Sequence, residues 1–254
     1  MRIPSLLTLL SIGCIVEDSD SVESTLWDTD VVATTDGLYV ALPDAGALVQ
    51  VNRSAGYEVI DLNGAEPVRM LTTPDGEKAL VFTRWPQCDD DDDDIINVSD
   101  CPSDELEWNA ELVVVEDGKA SEPITIPGHM NSLTFTADGT RAVAYLDYNE
   151  ESIIEISGVV DLSEVVIIDL TGAMKPMAVS IGFSPDNILF NSDGTRAVIL
   201  SRSKVVLVDM ESFDVLVEFP LVLDADQTVD PSGAVLTEDG SKVLVSVTGS
   251  SDLY

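Results

Sequence analysis

Positive charge is scarce in this chain. Only 12 Lys and Arg stand against 47 Asp and Glu, with one histidine, giving a formal net charge of −35 over 254 residues. A field this negative repels phosphodiesters, so nucleic acid and anionic lipid are excluded as partners held by charge, whereas cations are not. The bulk of these acids reads as a solvated shell suited to solubility or to salty surroundings. Cysteine is nearly absent too, with Cys14, Cys88 and Cys101 alone. At this length, with 45% apolar residues, the chain buries a sizeable core without a disulfide framework. His129 has no second His, Ser or Cys near it at triad or zinc-ligand spacing, which removes the usual nucleophilic and metal constellations. Among so many acids, no pair can be singled out as an acid and base. Helical periodicity is missing throughout.

What is present is a repeat. Five Asp-Gly pairs, Asp36-Gly37, Asp75-Gly76, Asp138-Gly139, Asp193-Gly194 and Asp239-Gly240, each open a short apolar run. An apolar stretch also precedes most of them, as in Ser132-Leu133-Thr134-Phe135. This predicts two antiparallel strands joined at a tight turn, where glycine accepts positive φ and the Asp carboxylate caps nearby amides. A β-branched third strand follows, such as Glu164-Val165-Val166-Ile167-Ile168-Asp169 or Lys204-Val205-Val206-Leu207-Val208-Asp209, and then a fourth, such as Val215-Leu216-Val217-Glu218-Phe219. Four strands per unit predict an all-β fold, a β-propeller of four-stranded antiparallel blades. About four blades are complete and a fifth is begun, a partial or open ring over residues 29–254.

The Asp-Gly pairs lie 39, 63, 55 and 46 residues apart. Blades of about 40–50 residues leave the two longer intervals with insertions, an acidic one at 85–108 and a second between Asp147 and Leu162. In the acidic insertion Asp89, Asp90, Asp91, Asp92, Asp93 and Asp94 run unbroken. Hard oxygen ligands suit calcium, the one cofactor the sequence suggests, but calcium loops space their acids so that carboxylates converge, and this run does not. It reads more simply as a solvated loop pinned by a Cys88–Cys101 disulfide worth about 3 kcal/mol. His129 falls between a fourth strand and the next first strand, on a face where propellers present ligand-binding loops or, more plainly, as a turn-stabilising surface group. Sequons occur at Asn52-Arg53-Ser54 and Asn97-Val98-Ser99 and, in a bacterial protein, are incidental.

Residues 1–13 carry one positive charge, a short apolar run and small residues, the pattern of an export signal. Ending at Gly13-Cys14, this segment resembles the lipobox of bacterial lipoproteins, which implies a lipidated Cys14 and a membrane attachment made only through that anchor. Ser11 stands where that family usually has Leu, and simple signal-peptide cleavage is the alternative. Residues 14–28, rich in Ser, Asp and Glu, read as a tether. The units Asp36-Gly37-Leu38-Tyr39-Val40 and Pro74-Asp75-Gly76 resemble the YVTN-type, lactonase-like repeats of bacterial propellers and the Pro-Asp-Gly repeats of the Tol-system propeller. The Gly-His and Trp-Asp signatures of WD repeats are missing. The resemblance implies a cell-envelope interaction module facing the periplasm or cell exterior, with a protein, glycan or cation as partner. It permits two alternatives, a lactonase-like enzyme whose site needs further blades and a calcium-dependent adhesin using the Asp-rich loop.

Overall fold

A computed structural model of the chain describes residues 30–54, 56–88, 106–147, 163–182, 185–222 and 229–248. The first blade comprises β1 (Val31–Ala33), β2 (Gly37–Leu42), β3 (Ala47–Asn52) and β4 (Tyr57–Asp61). The second comprises β5 (Glu66–Thr72), β6 (Ala79–Cys88) and β7 (Leu106–Glu116), its fourth position shared by β8 (Lys119–Ala120) and β9 (Ile124–Ile126), which both pair with β7. The third is β10 (Ser132–Phe135), β11 (Arg141–Tyr145), β12 (Glu164–Asp169) and β13 (Met177–Ser180), and the fourth is β14 (Pro185–Phe190), β15 (Arg196–Ser201), β16 (Lys204–Asp209) and β17 (Val215–Pro220). The pair β18 (Pro231–Leu236) and β19 (Val243–Val247) begins a fifth. Every pairing is antiparallel and, apart from that of β9 with β7, sequential, so the fold is the β-propeller of four-stranded blades that the repeat predicts. Among the described residues no helix is long and apolar enough to cross a membrane.

The blades hold one another through period-two strands that are apolar on both faces. In β6, Leu80 and Phe82 join a core shared with Ala142, Ala144, Val166 and Ile168 of the third blade. Their neighbours Ala79 and Val81 join a core shared with Tyr39, Ala41 and Leu48 of the first blade. The alternation repeats in β15, where Ala197 and Ile199 face the third blade and Val198 and Leu200 face the fifth. Val113, Val114, Ile167, Ile168, Val206 and Val208 are all buried, as their β-branched runs suggest.

Four of the Asp-Gly pairs form one repeated corner. A Thr or Asn two residues before the Asp and a Lys or Arg three after it close a four-residue loop. Thr136 N–H donates to the Arg141 carbonyl at 3.0 Å, Arg141 N–H donates to Thr136 Oγ1 at 3.1 Å, and Thr136 Oγ1 donates to Asp138 Oδ1 at 2.6 Å. Thr73 with Lys78, Asn191 with Arg196 and Thr237 with Lys242 repeat the backbone bond. The loop is thus longer than a two-residue hairpin, and its glycine is left-handed, as at Gly194 with φ of 70°. Successive corners nest: a Cβ on Gly194 would stand 3.2 Å from Thr136 Cβ of the preceding corner.

The first corner corrects the expectation of five equivalent turns. Gly37 does not have positive φ. It is glycine because a Cβ there would come within 2.5 Å of the Val51 carbonyl oxygen on β3. Asp36 keeps the bond from the Thr34 hydroxyl two residues before it but also accepts from Tyr39 Oη and Gln50 Nε2, each at 2.7 Å, and Tyr39 Oη accepts the Gly118 N–H of the second blade at 3.1 Å. Burial, then the Asp36 carboxylate, pushes the Tyr39 hydroxyl well above its ordinary pKa. The bounds of the acidic insertion also narrow, because β6 and β7 pair in continuous register from Ala79↔Val115 to Cys88↔Leu106. What looks like loop at 85–88 and 106–108 is a ribbon extending the blade.

Two outcomes follow. Gly194→Ala places a Cβ on a left-handed residue against Thr136 and costs about 1–2 kcal/mol, read as a lowered urea midpoint with unchanged slope. The corner carboxylates are held below the ordinary value by hydrogen bonds: at Asp239 the Thr237 hydroxyl, then the Ser241 amide and hydroxyl, lower it from 3.8 to about 2. At Asp75 the Thr73 hydroxyl leads and the direction is the same. A depressed folded-state pKa gives stability that is complete above the unfolded value and is lost as pH falls through the folded one. Equilibrium unfolding followed by circular dichroism therefore shows stability flat from neutral pH to about pH 4 and falling steeply toward about pH 2.

Candidate functional site

Antiparallel succession divides the connections of each blade between two ends. The corners and the third-to-fourth turns share one end, and the second-to-third and blade-to-blade connections share the other. The corner end is filled by its own polar bonding. Acids that close the third strands cap the turns after them: Asp169 accepts from the Thr171 N–H at 2.8 Å and the Met174 N–H at 3.1 Å, and Asp209 accepts from the Glu211 N–H at 2.8 Å and from Arg196. These turns bond the corners in turn, Leu170 N–H to the Thr140 carbonyl and Met210 N–H to the Thr195 carbonyl, each at 2.9 Å.

The opposite end carries the candidates for recognition. The acidic insertion leaves β6 and returns to β7 there, and the second insertion leaves β11 and returns to β12 there. The connection Pro127–Asn131, with His129 in it, reaches the same end. It is clamped from beneath by arginines that the sequence reading passed over. Arg84, only 4% exposed, donates from Nη2 at 2.8 Å and Nε at 3.3 Å to the Gly128 carbonyl. Arg69 Nη1 donates to the Asn131 carbonyl at 2.8 Å. Asn131 then exchanges two bonds with Asp147, its Nδ2 donating to the carbonyl at 3.0 Å and its Oδ1 accepting the N–H at 2.7 Å, which ties the connection to the start of the second insertion. Burial lowers the Arg84 pKa from its ordinary value and Glu66, opposite it in register, works against that. Burial alone raises the Glu111 carboxyl on the neighbouring β7. The signal for the arginines lies in the sequence: they are two of only 12 Lys and Arg, each set within an apolar strand.

His129 is half-buried and its Nε2 has no contact with solvent. Cys88 ends β6, while Cys101, and with it the proposed disulfide, lies outside the described residues, as do Cys14 and Asp89 to Asp94. Asp36-Gly37, Asp75-Gly76, Asp138-Gly139, Asp193-Gly194 and Asp239-Gly240 all sit at the corner end, away from His129. Among the described residues, no three His, Cys, Asp or Glu side chains are grouped to hold a metal ion.

No protein-family model matches the sequence, and neither does any curated protein. Among solved structures the chain is similar to Kuenenia stuttgartiensis hydrazine synthase, at 17% identity and TM-score 0.42, covering 91% of this chain and 59% of that one. It is similar also to a functionally unknown protein from Desulfotomaculum acetoxidans, at 15% identity and TM-score 0.42, covering 85% and 62%. A third is the β-propeller domain of Myceliophteria thermophila Cps50 (Swd1), at 11% identity and TM-score 0.41, covering 86% and 61%. This chain thus spans about six tenths of the length of each.

The clamp yields a direct test. Arg84→Met leaves the Gly128 carbonyl without its charged donor and costs about 1.5–3 kcal/mol. Hydrogen exchange speeds up at residues 128–131, while the corner amides, such as those of Gly139 and Arg141, keep their protection.

Proposed function

We propose that the protein is an exported cell-envelope β-propeller, of the YVTN-like kind and anchored through a lipidated Cys14, that binds its partner through the insertion-bearing end of its blades. The observation that carries this reading is the division of labour between the two ends. The corner end is occupied by nested glycines and capped acids, whose carboxylates spend their hydrogen-bonding capacity on their own backbone. At the other end both insertions and the arginine-clamped connection with His129 emerge from a rigid base, the arrangement in which propellers and other scaffolds hold variable recognition segments. The net charge favours a cationic or neutral surface as partner, either a protein with basic residues or a glycan. Calcium bound by Asp89 to Asp94 is a further candidate ligand of the same end.

The test removes the insertions one at a time. Replacing residues 89–105, or 148–162, with short Gly-Ser linkers lowers affinity for immobilised envelope protein and glycan fractions roughly tenfold, about 1.4 kcal/mol, with the melting temperature unchanged. Corner-end substitutions Glu77→Ala and Glu238→Ala leave binding intact. Loss of binding with the corner variants and its retention in both linker variants would overturn the reading.

A further inference from the structure

We propose that Asn63 is a site of spontaneous deamidation, which converts the connection between the first and second blades into aspartyl and isoaspartyl forms. Asn63-Gly64 is the chain's sole Asn-Gly pair. It is the tip of a two-residue turn between β4 and β5, in which Ala65 N–H donates to the Leu62 carbonyl at 3.1 Å and the central residues are left-handed, with φ of 57° and 81°. Both residues are exposed. The Gly64 amide nitrogen is the nucleophile of such a reaction and Asn63 Cγ the electrophile. Among the described residues, neither the Gly64 N–H nor the Asn63 side chain makes a hydrogen bond that would hold it back. The outer side of Gly64 is open as well, since a Cβ built there would meet nothing within 4 Å. Bringing nitrogen to carbon swings the peptide between the two residues and gives up the bond from Ala65 to Leu62, while the Asn63 N–H keeps its hold on Asp61 Oδ1 at 2.8 Å.

The Asp-Gly corners, which could enter the same chemistry, are closed to it. Their glycine amides are engaged: Gly76, Gly139, Gly194 and Gly240 each donate to the Thr or Asn carbonyl three residues back, at 2.8 to 3.1 Å. A carboxyl must also be protonated before it can lose its oxygen as water, and the Thr73 and Thr237 hydroxyls lead in keeping Asp75 and Asp239 ionised below the ordinary range. Selectivity for Asn63 therefore comes from the fold as well as from the dipeptide.

The Gly64 nitrogen gives its proton to solvent base and bonds to Asn63 Cγ, the bond from Cγ to Nδ2 breaks, and ammonia leaves with a proton from water. Water then opens the five-membered imide. Attack at Cγ restores the ordinary backbone with an aspartate, and attack at the main-chain carbonyl carbon gives isoaspartate, whose backbone is one methylene longer. Ammonia is exchanged for water, no oxidant is needed, and each event adds one negative charge. The added methylene falls where two connections meet: Leu62 N–H donates to the Gly46 carbonyl at 2.9 Å, and a Cβ on Gly46 would come within 2.8 Å of Gly64 Cα. The isoaspartyl form thus loosens the joint between the β2–β3 and β4–β5 connections, at the end of the blades where the insertions emerge. The inference goes beyond the binding reading and does not depend on it.

The experiment compares the folded full chain with the same chain unfolded in urea, both held in mildly alkaline buffer, with peptides mapped by mass spectrometry and isoaspartate measured by enzymatic methylation of its free carboxylate. In the folded protein the Asn63 peptide gains the mass of an amide-to-acid exchange at a rate within roughly tenfold of the unfolded one, and the corner peptides gain isoaspartate only in urea. Asn63→Gln, which has to close a six-membered ring, loses the signal; the wild-type comparison stands by itself if that variant does not fold. An Asn63 amide that survives in the folded chain while the unfolded chain converts shows that the turn protects it, and overturns the inference. Isoaspartate appearing in the folded chain at the corners and not at Asn63 overturns it equally.

Discussion

A blade of this protein has two apolar faces and cannot satisfy both alone. That constraint governs the rest of the structure. Leu80 and Phe82 on one side of β6, and Ala79 and Val81 on the other, are each buried only because a neighbouring sheet lies against them. The hydrophobic effect is non-directional and sets the stacking but not the register of one sheet on the next. Register comes from the corners, where a glycine of one blade fits against the Thr of the blade before it, and from Tyr39, which reaches from the first blade to the Gly118 amide of the second.

Charge is distributed around this frame in two roles. The acids at Asp75, Asp138, Asp193 and Asp239 and at Asp169 and Asp209 are structural anions, each answering backbone amides that the turns would otherwise leave to water. The few cations are used sparingly and locally. Arg196 joins a corner to the turn beside it, whereas Arg69 and Arg84 serve the opposite end by holding carbonyls of one connection. A chain with a net charge of −35 therefore keeps its buried positive charge where a loop must stay in one shape.

The blades were legible because period-two alternation and Asp-Gly turns are local signals that survive in any context. The third-strand acids were visible too, although their capping of the following turn was not, since it depends on backbone geometry beyond the strand. Thr73, Thr136, Asn191 and Thr237 repeat as regularly as the aspartates, and their pairing with Lys78, Arg141, Arg196 and Lys242 could have been read from spacing. Gly37 could not. Its reason is the approach of Val51 from another strand, which nothing in residues 34–40 encodes. Arg84 was obscured for a similar cause: an arginine within an apolar strand reads as solvent-facing until the fold shows Gly128 lying across it.

The corner joint has a direction. Its two halves, a left-handed glycine and a Thr or Asn side chain, differ, so each unit offers one to the blade behind it and the other to the blade ahead, a head-to-tail joint and not a self-complementary one. The first blade makes this joint differently: Thr35 N–H donates to the Gly76 carbonyl of the second corner at 2.7 Å, while Asp36 is held by Tyr39 and Gln50, so the row begins on a joint of another kind from the one that continues it.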